Sequence, residues 1–378
     1  MRIKNRLLAE GAQFSKPQND LGVVNRARPG SVKFRLVWLF CLLVIPALWW
    51  ALREVPLQQI VDTLASLRGW QLLALASVNV GVLAIFSLRW WIFLRVMGGR
   101  IPFSRAVGYH LIGFGVSYFT VGPQVGGEPL QVLLVSRHPS VTLPAAVSSV
   151  FLDKVFELLT NFTFLMIGSL LILISGASGK WPGGGWWVAA AVLLALPLLH
   201  LLALSRGKYP ITGLITRYTL PAWLLRAAKL IVQSEEQISA LLRTKPVVVL
   251  TAAAISVAGW LAMFAEYALM LSFLGQSMNL VQLMTAFLAS QLAFLTPLPG
   301  GLGALEAGQV LAFSSFGAAA AVGLSASLVM RVRDLIFGLL GLALADNELR
   351  KLDTRKAPPA GTGLTIDSVE QTIIVLEE

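Results

Sequence analysis

Thr296-Pro297-Leu298-Pro299-Gly300-Gly301-Leu302-Gly303-Ala304-Leu305-Glu306 interrupts an apolar stretch covering residues 282–316. Its prolines remove backbone donors and its glycines loosen the chain, so no continuous helix can pass through it. Apolar runs near 247–274 and 318–345 flank it, each long enough to cross about 30 Å of hydrocarbon, which takes roughly 20 residues. A break between two such runs lies at membrane depth, where open backbone is tolerated only against protein or a wet cavity. A cavity is therefore implied. A second break, Gly122-Pro123-Gln124-Val125-Gly126-Gly127-Glu128-Pro129, interrupts the apolar stretch 105–137 in the same way.

The whole chain fits this reading. Of 378 residues, 56% are hydrophobic and only 13% charged, about half the charged share of a soluble domain, and the mean hydropathy is +0.74. Such a chain cannot cover its apolar surface with polar groups, which excludes a soluble globule, a disordered chain and a disulfide scaffold. The single cysteine, Cys41, allows no internal disulfide. Further spanning runs lie near 34–52, 71–94, 144–175 and 186–204. The expected fold is an all-α polytopic membrane bundle of about six spanning helices plus two re-entrant or broken hairpins. The parity would equally hold if each hairpin crossed fully and returned, so between six and ten crossings remain open.

The domain organisation expected is a basic arm over 1–33, which lacks the apolar core of a signal peptide, a membrane domain over 34–345 and a mobile cytoplasmic tail over 346–378. The net charge of +11 is distributed unevenly. Lys and Arg collect in the N-terminal arm, the 95–105 link, the 205–246 link and the tail, whereas 176–185 carries only Lys180 and 275–281 carries none. The 53–70 loop is mixed, Arg53 and Arg68 standing against Glu54 and Asp62. All four basic segments share one side if each hairpin returns to the face it entered, which places both termini in the cytoplasm and the protein in the cell's inner membrane. Within the 205–246 link, Trp223, Ala227, Leu230, Ile231, Ile238, Leu241 and Leu242 recur at helical spacing. They predict an amphipathic helix that either lies on the cytoplasmic membrane surface or packs on the bundle as a linker.

An internal repeat is visible. Shifted by 177 residues, 145–159 lies over 322–336, and cation-Val-x-acid-Leu recurs as Lys154-Val155-Phe156-Glu157-Leu158 and Arg331-Val332-Arg333-Asp334-Leu335. Gly126-Gly127 lies over Gly300-Gly301 at a shift of 174. Units of about 105–175 and 282–345 are the expected duplication. By the charge argument their hairpins enter from opposite faces, which makes the repeats inverted about an axis in the membrane plane.

Ionisable residues inside the bilayer cost on the order of 3 kcal/mol each unless paired or wet. This chain places Arg89, Glu128, Asp153, Lys154, Glu157, Glu266, Glu306, Arg331, Arg333 and Asp334 there. The functional reading is a lipid head-group site at mid-membrane formed by Gly126, Gly127, Glu128, Asp153, Lys154, Glu157, Pro299, Gly300, Gly301, Glu306, Arg331, Arg333 and Asp334. Free backbone N–H groups after Gly127 and Gly301 would face a phosphate, with Lys154 and Arg331 as cationic donors and Glu128 and Glu306 holding an ammonium or tuning those cations. Lys154 with Glu157, and Arg331 with Asp334, are three apart and predicted to pair. The competing reading is a set of salt bridges that only fixes helix register. Arg89, beside Trp90 and Trp91, lies close enough to the inner interface to snorkel, which makes a structural role as good a reading as a functional one. Glu266 has no assignable partner, and His110 reads as a bundle histidine.

No metal site or cofactor is expected: His110, His138 and His200 form no His-Glu-x-x-His pair, and neither a Gly-x-x-x-x-Gly-Lys-Ser/Thr loop nor Gly-x-Ser-x-Gly occurs. Catalysis therefore lacks a motif, and nucleic acid is an unsuitable partner for charge confined to membrane loops.

At Arg89-Trp90-Trp91, Gly126-Gly127-Glu128-Pro129, Asp153-Lys154-Val155-Phe156-Glu157, Pro297-Leu298-Pro299-Gly300-Gly301-Leu302-Gly303-x-x-Glu306 and Arg331-x-Arg333-Asp334, the chain resembles the flippase-like transmembrane domain of lysylphosphatidylglycerol synthases and its stand-alone relatives. The resemblance covers about 34–345. It implies movement of aminoacylated phosphatidylglycerol or another phospholipid between leaflets. Residues 346–378 are too few for the aminoacyl-transferase domain of those synthases, so synthesis of aminoacyl lipid is not among the expectations that carry over. The expected function is a translocase with a membrane phospholipid as substrate, able to form a homo-oligomer or join a lipid- or glycan-synthesis enzyme. The alternatives are a membrane transferase, an accessory subunit of envelope lipid or glycan synthesis, and a small-solute transporter.

Overall fold

The computed structural model describes residues 65, 67–120, 126–175, 185–215, 217 and 221–354. Among them the chain is an all-α bundle with no strand. The expected span at 34–52, the basic arm, residues 122–125 of the first break and the tail beyond 354 lie outside the described residues.

The helices are α1 (Gly69–Val96), α2 (Phe103–Tyr118), α3 (Glu128–Ser136), α4 (Leu143–Ile174), α5 (Gly185–Ser205), α6 (Pro210–Ile215), α7 (Ala222–Thr244), α8 (Pro246–Phe273), α9 (Leu280–Phe294), α10 (Ala304–Ser315) and α11 (Ala320–Thr354). Their starts follow local chemistry. Thr142 Oγ1 accepts the Ala145 N–H at 3.3 Å ahead of α4, and Asn279 and Gln282 cap each other's backbone ahead of α9. Pro246 opens α8, where a missing N–H has no cost.

α1, α4 and α8 are long and apolar enough to cross a membrane. The hairpin arms are not: α2 with 16 residues rises about 24 Å and α9 with 15 about 22 Å, short of the hydrocarbon thickness. Each of these arms is thus shorter than a full crossing. α11 does not stop at residue 345 as expected but runs on to Thr354, its end carrying the pairs Arg350–Asp346 and Lys351–Glu348, both 2.7 Å.

The duplication is larger than the sequence revealed. Gly69 and Pro246, Phe103 and Leu280, and Leu143 and Ala320 begin corresponding helices, each pair 177 positions apart, so the spanning helix ahead of each hairpin belongs to the repeat. The turns after α1 and α8 match as well, with positive φ at both Gly98 (92°) and Gly275 (75°).

α1 and α8 pack antiparallel: the Trp70 ring lies 5.2 Å from that of Phe273, Asn79 donates to Glu266 Oε1 at 3.3 Å, and Arg89 donates to Ser256 Oγ at 3.0 Å. Counterpart helices that run antiparallel are related by a two-fold axis perpendicular to them, and for spanning helices that axis lies in the membrane plane. Packing between the halves is reciprocal. α2 lies on α11 where Gly115, Gly338 and Gly341 bring the backbones together, and α9 lies on α4 where Leu288 and Met284 meet Gly168.

Helix α7 is the predicted amphipathic linker. Ile238 and Leu241 are buried with Phe156, Leu204 and Ala252, leaving Lys229 and Arg243 exposed, so it packs on the bundle. Glu235 fastens it, accepting the N–H groups of Ile211 (3.0 Å) and Thr212 (2.8 Å) at the start of α6. Glu235→Ala leaves both donors unpaired, with an expected loss of about 1–3 kcal/mol in a thermal unfolding measurement on purified protein.

Candidate functional site

A cavity of about 220 Å³ opens between the two halves, bordered by α1, α2, α4, α8, α9 and α11. Its polar lining comes from Asn79 and Arg89 on α1, Glu157 and Asn161 on α4, and Gln291, Arg333 and Asp334 on the second half. Phe86, Phe114, Trp260 and Phe337 supply aromatic walls, and His110 lines it from α2. Three buried polar atoms on this lining have no hydrogen-bond partner among the described residues: His110 Nδ1, Asn161 Oδ1 and Trp260 Nε1. Buried polar groups are nearly always paired, so a donor and an acceptor left open around one cavity mark a place built for a ligand or water.

The charges form two related sets. In the first half, Lys154 stands 3.0 Å from Glu128 and 3.0 Å from Glu157. In the second, Arg331 donates to Glu306 Oε1 at 2.7 Å and to the Gly300 carbonyl at 3.3 Å. Lys154 and Arg331 are repeat counterparts, so each long helix holds its own hairpin through a glutamate at the start of the returning arm. That arm also repeats as Glu128-Pro-Leu-Gln131 and Glu306-Ala-Gly-Gln309, a pattern the sequence reading missed because the break ahead of it differs in length. Both glutamines are buried against the facing arm: Gln309 Nε2 donates to the Ala286 carbonyl at 2.8 Å, and Gln131 lies beside Gly113.

Arg89 and Glu266 are also counterparts, with the charge reversed. Arg89 does not snorkel; it is fully buried, donating to Asp153 Oδ1 at 2.6 Å and to Ser256. Glu266, without an assignable partner in sequence, meets Arg333 at 2.9 Å and Asn79. Arg333 also holds Asp334 at 2.8 Å, so Asp334 is taken by its neighbour while Arg331 turns to the hairpin, in place of the expected Arg331–Asp334 pair.

The thirteen residues expected to form the site therefore divide. Glu157, Arg333 and Asp334 border the cavity, and Asp153 is one contact behind it through Arg89. Lys154, Glu128, Glu306 and Arg331 tie the hairpins to the long helices instead. Gly126, Gly127, Pro299, Gly300 and Gly301 are not in the lining, and several amides of the breaks themselves already have acceptors. Gly126 donates to Glu128 Oε2 and Gly127 to Ser117 Oγ, both at 2.8 Å, while Gly301 and Leu302 donate to Leu298 and Pro299 carbonyls. The second break reaches the end of the first hairpin's leading arm: a methyl group on Gly300 would stand 2.9 Å from the ring of Tyr118, the last residue of α2. Sequence reasoning missed Asn79, Asn161, Trp260 and Gln291; polar amides inside apolar helices were the available signal.

A family model described as the lysylphosphatidylglycerol synthase TM region matches residues 37–341. A UPF0104 membrane protein of Methanothermobacter thermautotrophicus is 22% identical over 66% of this chain and 77% of its own length. Another, from Pyrococcus horikoshii, is 25% identical over 48% of this chain and 53% of its own length. No solved structure matches.

Proposed function

Because the chain belongs to the lysylphosphatidylglycerol synthase transmembrane-region family, we propose that it is a lipid translocase that passes a phospholipid head group through the cavity between its two inverted halves. The observation that carries this reading is the trio of unpartnered polar atoms on one intramembrane cavity, at the place where alternating-access carriers hold their substrate. A head group offers acceptor oxygens to Trp260 Nε1 and donors to Asn161 Oδ1. Acyl chains would stay in the surrounding hydrocarbon. The protein acts here without a cofactor and without catalysis, its partner being the membrane lipid itself. The Lys/Arg distribution supports an inner-membrane orientation with both termini cytoplasmic.

Asn161→Leu tests the proposal. It removes an unpaired acceptor and fills the cavity, so the unfolding temperature should hold or rise, while transbilayer movement of a fluorescent phospholipid in reconstituted vesicles should fall at least about tenfold. Unchanged movement overturns the reading. Lys154→Ala and Arg331→Ala, which unfasten the hairpins, should also lower the rate.

A further inference from the structure

We infer that the cavity holds a monovalent cation between Glu157 and Asp334, an inference that deepens the translocase reading and rests on it for the cation's role. Among the described residues, the intramembrane groups are four cations, Arg89, Lys154, Arg331 and Arg333, against six carboxylates. Arg89 with Asp153 and Arg331 with Glu306 each close as one-to-one pairs. Lys154 serves both Glu128 and Glu157, and Arg333 serves both Glu266 and Asp334. Each half therefore retains one negative charge beyond what its cation balances.

The acids involved are placed alike. Glu157 and Asp334 are repeat counterparts, 177 positions apart, and they are the carboxylates that line the cavity. The two surplus charges consequently face one space in a low-dielectric interior, where uncompensated charge is unfavourable. A second, independent feature points to a positive occupant. Asn161, one helical turn beyond Glu157 and so on the same face, is 1% exposed, and its Oδ1 accepts from no donor among the described residues. Phe114 and Phe337 add aromatic rings to the same lining, and a ring whose face meets a cation attracts it electrostatically.

The shared chemistry is a single positive charge with oxygen contacts. An alkali ion from water supplies it, as does the ammonium of a lipid head group; in the first case the ion can accompany the transported lipid, and in the second it is part of it. The full chain in nanodiscs separates the sources. In phosphatidylglycerol discs at constant ionic strength, replacing N-methylglucamine by sodium or potassium should raise the unfolding temperature saturably, by about 3–5 °C at a hundredfold excess over Kd, if the occupant is an alkali ion. If it is a head-group ammonium, the same rise should appear on adding phosphatidylethanolamine with no alkali ion present. Glu157→Gln should reduce the rise, and Asn161→Ala, which leaves the charges intact, should weaken apparent binding about tenfold. No rise with either source in the unsubstituted protein, or a rise undiminished in both variants, overturns the cation site. Stability that follows pH alone also overturns it. Lipid movement is measured separately: movement that persists without any such rise removes the cation and leaves the translocase standing.

Discussion

Arg89→Ala should destabilise the protein by about 3–5 kcal/mol, the cost of leaving a buried carboxylate without its partner. Arg89 is fully buried on α1, and among the described residues it is the sole ion-pair partner of Asp153, which is itself 6% exposed on α4. Truncation also strips Ser256 on α8 of its guanidinium contact, so three helices lose one common tie. The pair is not stabilising in proportion, because two charges had to leave water to form it. Arg89→Met combined with Asp153→Leu should therefore recover most of the loss. The measurement is a thermal unfolding series of both single variants and the double variant. A double variant as unstable as Arg89→Ala would show that the pair contributes beyond mutual neutralisation.

Gly127→Ala should be nearly as damaging, at about 3 kcal/mol, for a reason of space rather than charge. A Cβ at Gly127 would lie 1.9 Å from the Gly113 carbonyl oxygen, and the obstacle is backbone on the facing arm, which no side-chain rotation can clear. The first hairpin would have to spread, pulling Glu128 from Lys154 and removing the Gly127 N–H from Ser117. Unfolding temperature and lipid movement should fall together. Gly81→Ala supplies the comparison: nothing lies within 4 Å of its Cβ, so helix propensity alone should act and stability should hold or rise by up to about 1 kcal/mol.

Much of the fold was legible because a bilayer enforces it. Lipid offers no partner for backbone groups, so long apolar runs had to become helices, and the two Pro/Gly breaks had to be hairpins resting on protein. The 177-residue shift over Lys154 and Arg331 also disclosed the duplication. Its full extent stayed hidden, since α1 and α8 share length and phase but hardly any residue identities: lipid-facing positions need only be apolar, and Arg89 is matched by an acid, Glu266.

The candidate site was less legible. Sequence spacing placed Lys154 with Glu157 correctly, because residues three apart on a helix must share a face. The same rule failed for Arg331 and Asp334, where Glu306 and Arg333 from different geometry took the two charges. It also gave no means to see that Asn79, Asn161, Trp260 and Gln291, spread over four helices, border one cavity.

The amino-acid order by itself determined that this chain lives in a membrane, where its helices run and which segments break, because hydropathy and backbone hydrogen bonding act locally. Apart from the Lys154–Glu157 pair, tertiary structure decided which acid holds which base, and which polar atoms remain open toward the cavity. Ion pairing in a low dielectric depends on separations of a few ångströms between distant parts of the chain, and no local rule carries that distance.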